Sequence, residues 1–340
     1  MKHILLLQPP SRWGNHVYLV NGLLATATRL RTAGFSVEIR DLNIDEGLSQ
    51  TTIESADIVG ISILGSPYIR PTINLARIVR ELVYTAGIFF GGTILANIVP
   101  EDWQKLFQAQ GLENITAIRN EIDLSIELGL INKLPSINDL SMGEAIEALP
   151  EYMQQAYFEK EFCIFTSDGC EFNCSFCGAH KNRKETFRDP IAFRKEMATL
   201  GKMIAKYAGP NPDYEIYLST LDGLQTWTTM EGVLEIIHDE FNKAGVFVPL
   251  RFLATSKYTF RALAADPDIL KRWKELGVMC IGMGIDGDDE KTWSMLRKNH
   301  NRRGEIEQAI IGVIDAGIIA EAFMIFGGPE ESREATLKAV

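Results

Sequence analysis

Hydrophobic positions along the first part of the chain fall in short unbroken runs, separated by stretches in which they recur every three or four residues. Ile4-Leu5-Leu6-Leu7, cut off by Gln8-Pro9-Pro10, predicts a first strand. Val20, Leu23, Leu24, Ala27 and Leu30 follow at helical spacing, and Gly34 stands where that helix should stop. Residues 35–39 and 57–64 predict the next strands, the second almost continuously apolar, as a strand covered on both faces is. Leu75, Val79 and Leu82 mark another helix face, Ile88-Phe89-Phe90 runs into Gly91-Gly92, and residues 115–118 form a weaker strand. Strand and helix in strict alternation predict a parallel sheet with crossover helices over residues 1–125.

Between residues 126 and 160 the strand pattern lapses into helical and Pro-containing segments, punctuated by Leu134-Pro135 and Leu149-Pro150, and reads as a helical linker. Alternation then resumes over 161–340. Strands are expected at 162–166, 214–218, 248–253, 278–283 and 320–326, with helices at 191–207, 230–241, 270–276 and 306–316. The class is therefore α/β: an open doubly wound domain of flavodoxin-like (Rossmann-like) kind, then a partial β/α barrel. Both architectures bind ligands at the carboxyl ends of their strands. Five repeats fall short of a closed barrel, so the chain reads as a fragment of a longer protein.

Composition narrows the function classes. A length of 340 residues suits about two domains, and 46% hydrophobic with 23% charged residues is the profile of a folding chain. The 34 basic and 45 acidic residues leave a net charge of -11, which argues against nucleic acid as a partner. No stretch approaches the roughly 20 apolar residues of a membrane span, and the start reads as a strand rather than a signal peptide, so the expectation is a cytoplasmic protein. Five cysteines in such a chain favour metal or redox chemistry over a disulfide framework. Cys163 and Cys280 sit inside strand runs and read as small core hydrophobes, whereas Cys170, Cys174 and Cys177 share one short segment.

That segment, Cys170-Glu171-Phe172-Asn173-Cys174-Ser175-Phe176-Cys177, follows the first barrel strand through Ser167-Asp168-Gly169, at the end where a barrel does its chemistry. Thiolates suit iron-sulfur clusters or zinc. Three cysteines on a four-iron cluster leave one iron open to a cofactor; with His180 the same set could clip zinc. The spacing C-x-x-x-C-x-x-C, with an aromatic before the last cysteine, resembles the cluster motif of the radical S-adenosylmethionine (radical SAM) superfamily. The resemblance implies a [4Fe-4S] cluster on Cys170, Cys174 and Cys177, with S-adenosylmethionine on its open iron cleaved reductively to a deoxyadenosyl radical. It also implies contacts to that cofactor from Phe176, from Ser219 and Asp222 after the second strand, from Thr255 and Ser256 after the third, and from Asp286 after the fourth. The superfamily's G-x-I-x-G-x-x-E adenine motif maps onto Phe323, Ile325, Gly327 and Glu330, with Phe in place of the first glycine and the Gly327-Gly328 turn kept.

A doubly wound domain ahead of such a barrel is similar to the cobalamin-binding class of this superfamily. Ser62-Ile63-Leu64 looks like the S-x-L that receives the cobalamin tail, and Gly91-Gly92 like the paired glycines along which that tail lies. Gln8-Pro9-Pro10 also resembles the class, and Tyr68 is placed to pack under the corrin. The D-x-H-x-x-G that supplies a lower cobalt ligand is absent; the loop carries only His16, which reads as polar surface. The resemblance implies a cobalamin-dependent enzyme, most often a methyltransferase acting at an unactivated carbon or phosphorus, fed by an electron donor such as flavodoxin or ferredoxin. Oxidative cyclisation, ring rearrangement, a radical enzyme without cobalamin and a non-enzymatic zinc module are the alternatives. The substrate, a small molecule or peptide, is not written in the residues.

Overall fold

The computed structural model describes residues 2–11, 17–45, 48–84, 86–97, 99–178, 184–287 and 289–326. His16, His180, Gly327, Gly328 and Glu330 lie outside the described residues. The chain divides into two units, 1–160 and 161–340, each with its own core.

In the first unit the apolar runs become β1 (His3–Gln8), β2 (Ser36–Asp41), β3 (Ile58–Ser62), β4 (Gly87–Gly91) and β5 (Ile115–Ile118). They form one parallel sheet in the order β2-β1-β3-β4-β5, which is the flavodoxin-like order the alternation predicted. Ile4 to Leu7 of β1 are no more than 1% exposed because helices cover both faces, which is why that run needed no polar alternation. Helix Asn21–Thr32 buries Leu23, Leu24, Ala27 and Leu30, and helix Ser66–Leu82 buries Ile73, Leu75, Ala76 and Val79 despite Pro71 within it. Trp103 stacks on Phe107, which meets Phe90 of β4 edge-on, closing the other end of the core.

The segment expected to be a linker behaves differently. Residues 126–160 belong to the first unit and pack onto it. Helix Gly143–Glu147 lies against helix Asn21–Thr32, and Met153, Tyr157 and Phe158 of helix Glu151–Phe158 are fully buried. Tyr157 donates a hydrogen bond of 2.8 Å to Asp41 at the end of β2. Helices of five and eight residues carry too little periodicity to declare their burial in the sequence.

The second unit contains β6 (Cys163–Phe165), β7 (Ser167–Asp168), β8 (Thr186–Phe187), β9 (Ile216–Ser219), β10 (Leu250–Ala254), β11 (Val278–Gly284) and β12 (Ile319–Phe323). Strands β6, β9, β10, β11 and β12 pair in parallel, each beside the next in chain order, as in the wall of a partial β/α barrel. Leu250, Phe252 and Ala254 of β10 are buried, while Arg251 and Leu253 on its opposite face are half-buried. Strands β7 and β8 pair antiparallel on either side of the cysteine loop; two residues have no period to read, so they were invisible beforehand. After β8, Asp189 caps helix Pro190–Tyr207 by accepting from the Ile191 and Ala192 amides. The Arg188–Glu196 ion pair, 2.8 Å long and essentially unexposed, ties that helix to β6, because Arg188 also donates to the Phe165 carbonyl.

Candidate functional site

In the first unit a crevice of about 180 Å³ opens at the carboxyl ends of β1, β2 and β3. Gln8, Asp41 and Ser62 come from the strand ends, and Asn43, Leu64 and Tyr68 from the loops that follow. This is the switch point of the sheet, where neighbouring crossovers leave in opposite directions and separate. Asp41 is 1% exposed and accepts from Tyr157, from the Asn43 amide at 2.9 Å and from the Asn43 side chain at 2.7 Å; burial still pushes its carboxyl above the usual range. Ser62, Leu64 and Tyr68, singled out in the sequence, therefore share one lining, whereas Asp41, Asn43 and Tyr157 were missed. Asp41-Leu42-Asn43 had the spacing of an Asx turn, a signal available in advance.

The paired glycines on β4 turn out to have separate reasons. A β-carbon on Gly91 would meet nothing within 4 Å, so that position leaves an open space beside Ser62, its partner in register. Gly92 has φ +131°, and a β-carbon there would stand 2.3 Å from the Ile63 carbonyl oxygen. Gly92 is thus required by the backbone of its own sheet, and Gly91 alone is the open cradle that a close-lying ligand needs.

In the second unit, Cys170, Cys174 and Cys177 occupy a loop anchored on both sides. The Cys177 amide donates to the Cys174 carbonyl at 3.2 Å, and the Ser175 amide donates to the Leu296 carbonyl at 2.9 Å. Burial pushes the Cys170 thiol up to about 11, with the Asp222 carboxylate and the other two thiols adding to the rise. Cys174 is raised too, first by burial; Lys298 pulls it down, and Cys177 and Asp286 push it up. The three sulfurs thus feel one another, and a cationic centre offsets the repulsion between them as thiolates, displacing their protons. Among the described residues no three such side chains converge on one point as the ligands of a single ion do. A cubane cluster asks for something else, one thiolate for each of three irons, and this donor set fits that demand. No disulfide joins the five cysteines. Cys280 is buried as expected, but Cys163 is only partly so, because its strand face is less covered than the pattern implied.

The carboxylates expected to contact S-adenosylmethionine are already engaged. Asp222 is wholly buried and accepts from the Thr255 amide at 3.0 Å and the Thr255 hydroxyl at 2.7 Å, which fastens the end of β9 to the end of β10. Burial without a cation pushes Asp222 up to about 7. Asp286, at φ +52°, is paired with Lys298 at 2.5 Å, and that lysine also donates to the Gly284 carbonyl. Ser219 ends β9 with its carbonyl accepting from the Thr166 amide at 3.2 Å. Phe176 is half-exposed. Ser256 is 1% exposed and its hydroxyl lacks a hydrogen-bond partner among the described residues, as does the side-chain oxygen of Asn301, also 1% exposed. Buried orphans of this kind are the groups a bound polar ligand would satisfy. The Ser167 and Thr220 hydroxyls meet the buried Glu185 carboxylate at 2.7 and 3.2 Å, a network the sequence did not announce. Phe323, the departure from the adenine motif, lies over Gly282, where a β-carbon would come within 2.5 Å of its ring. A large residue on β12 is thereby matched by the smallest one on β11.

A parallel barrel wall with a three-cysteine loop at the carboxyl end of its first strand defines a class of cluster-bearing enzymes. Residues 164–340 match the Radical SAM superfamily, and the chain belongs to that family. Its fold is similar to that of the radical S-adenosylmethionine methyltransferase TsrM from Kitasatospora setae, solved with tryptophan substrate and the analogue aza-SAM. The TM-score is 0.70 at 14% identity, over 100% of this chain and 71% of TsrM. A second TsrM structure, with cobalamin and a [4Fe-4S] cluster bound, gives a TM-score of 0.69 at 15% identity over 98% of this chain and 71% of that one. The cobalamin-dependent S-adenosylmethionine radical enzyme OxsB, with aqua-cobalamin and S-adenosylmethionine bound, gives 0.66 at 15% identity over 96% of this chain and 49% of OxsB, so the chain spans about half its length. At these identities the likeness shows the fold. No curated protein matches by sequence. Among the described residues no helix is long and apolar enough to cross a membrane.

Proposed function

We propose that this radical SAM enzyme is cobalamin-dependent and transfers a methyl group to an unactivated carbon or phosphorus. The observation that carries the reading is the crevice at the switch point of the β2-β1-β3-β4-β5 sheet, lined by Ser62, Leu64 and Tyr68 with the open Gly91 beside Ser62. It stands in the same chain as the three-cysteine barrel loop.

Cys170, Cys174 and Cys177 hold the cluster in this reading, and Gly91, Ser62, Leu64 and Tyr68 hold the corrin and its tail. The bound groups would supply electron transfer, hydrogen abstraction and a transferable methyl. The protein's own part is positional. Asp222 sets the Thr255 backbone and hydroxyl, Ser256 and Asn301 offer buried polar atoms to S-adenosylmethionine, and the Lys298–Asp286 pair acts electrostatically on Cys174. Contacts to the adenine from Gly327 and Gly328, which lie outside the described residues, belong to the same reading. An acceptor site for electrons from a flavodoxin- or ferredoxin-like donor belongs to the same proposal.

Iron, cobalt and zinc are to be measured on protein purified without oxygen and reconstituted with iron, sulfide and cobalamin. About four irons and one cobalt per chain is the expected result. Iron without cobalt would overturn the cobalamin reading and leave a radical enzyme with a scaffolding front unit, whereas zinc alone would remove the cluster.

A further inference from the structure

The motif spacing places three residues, Glu171, Phe172 and Asn173, between the first two cysteines, and nothing in the ligand chemistry says what shape they take. Three successive strand-end segments grip two of them. After β9, the Gln225 side chain accepts from the Glu171 amide at 3.0 Å. After β10, Tyr258 donates its hydroxyl proton to the Glu171 carboxylate, and Lys257 places its ammonium 5.1 Å from the centre of the Phe172 ring. After β11, the His300 ring lies on Phe172 face to face, centroids 3.8 Å apart and planes 16° from parallel. Tyr258 completes the aromatic group at 5.7 Å from Phe172.

We propose that His300 is a positioning residue for the cluster loop, holding the Glu171-Phe172 turn against the barrel so that Cys170 and Cys174 are presented before any iron arrives. The proposal rests on the reading of Cys170, Cys174 and Cys177 as cluster ligands. The chemistry of the stack fits. A face-to-face contact with an electron-rich ring needs no charge on the imidazole, and burial, together with Lys298, Lys257 and Arg302, lowers the His300 pKa to about 3. His300 is therefore neutral across the working range, and its Nε2 is buried without a hydrogen-bond partner, so the ring faces, rather than a polar bond from that atom, make the contact. Lys257 stands over Phe172 and Arg261 over Tyr258, cation-aromatic contacts that need no charge on His300.

The test uses the full chain in two states. In the metal-free protein, iodoacetamide labelling of Cys170 and Cys174 is timed against the buried Cys280 as internal reference, for wild type, H300A and H300F. Loss of the stack should speed labelling of the loop cysteines about fivefold in H300A, and the flat apolar ring of H300F should restore the wild-type rate. In the reconstituted protein, the reduced cluster's electron paramagnetic resonance spectrum should broaden in H300A and sharpen again in H300F. Equal labelling rates and identical spectra in wild type and H300A would overturn the clamp, and so would a failure of H300F to restore either. A wild-type protein that takes up no iron would refute the cluster reading instead, and the metal-free labelling would still decide the clamp. Far-UV circular dichroism and the thermal midpoint separate a local loosening from unfolding.

Discussion

The two candidate sites prepare for a ligand in opposite ways. At the switch point of the front sheet, Ser62, Leu64, Tyr68 and Gly91 border open space, and the buried carboxylate in the lining, Asp41, accepts from Tyr157 and Asn43. In the barrel unit the polar residues at the strand ends are bonded to one another: Asp222 to Thr255, Asp286 to Lys298, Ser167 and Thr220 to Glu185. The front crevice is a hollow bordered by apolar side chains such as Leu64 and polar ones such as Gln8 and Asn43. The barrel site is a tightened polar frame beside a loop that carries three thiols. A bulky ligand asks for room and a small charged centre for ligands that cannot drift, and under the proposed function the first would fall to the front crevice and the second to the cysteine loop.

Breaking the barrel frame should have the largest effect. K298M leaves the Asp286 carboxylate buried and unpaired, and should destabilise the second unit by about 3–5 kcal/mol in urea unfolding; adding D286N should recover most of the loss. If K298M alone costs nothing, the frame is not the source of rigidity there.

The next effect is one of pH. Burial holds Asp222 near 7 in the folded chain, against about 3.9 when unfolded. Between about pH 4 and 7 the folded state keeps a proton that the unfolded state has lost, so stability falls as pH rises through that window and levels off above it. D222N should flatten this dependence by a few kcal/mol over the window in metal-free protein. An unchanged slope would show that Asp222 ionises like an exposed acid.

Smaller, and confined to the front unit, is the contrast between adjacent glycines. G92A should cost about 1–3 kcal/mol, because a side chain there is strained by its backbone angle and meets the Ile63 carbonyl. G91L should leave the thermal midpoint within about 1 °C, since nothing lies within 4 Å, yet abolish cobalamin retention in gel filtration. Retention by G91L would remove the cradle from the cobalamin reading.

Much of this was legible before folding. The strand runs, including residues 115–118, and the helix faces at Leu23, Leu24, Ala27 and Leu30 appear where the pattern put them, because a sheet covered on both sides and an amphipathic helix impose strict periods. The cysteine loop was legible because three soft ligands in eight residues are rare outside metal chemistry. The burial of residues 126–160, the two-residue strands β7 and β8, and the partners of Asp222 and Asp286 were not legible. Lys298 and His300 sit in a polar stretch with no period, 120 or more residues beyond the loop they touch.

By itself the sequence determined the two α/β architectures and the place of the three-cysteine loop at a strand end, since each depends on local period, turn chemistry or residue spacing. Only the tertiary structure decided that Gly92 serves its own sheet while Gly91 stays open, that two expected cofactor carboxylates face protein partners, and that Phe172 rests on His300. Those outcomes depend on which distant side chains arrive within a few ångströms of one another, and a linear chain carries no record of that until its cores have packed.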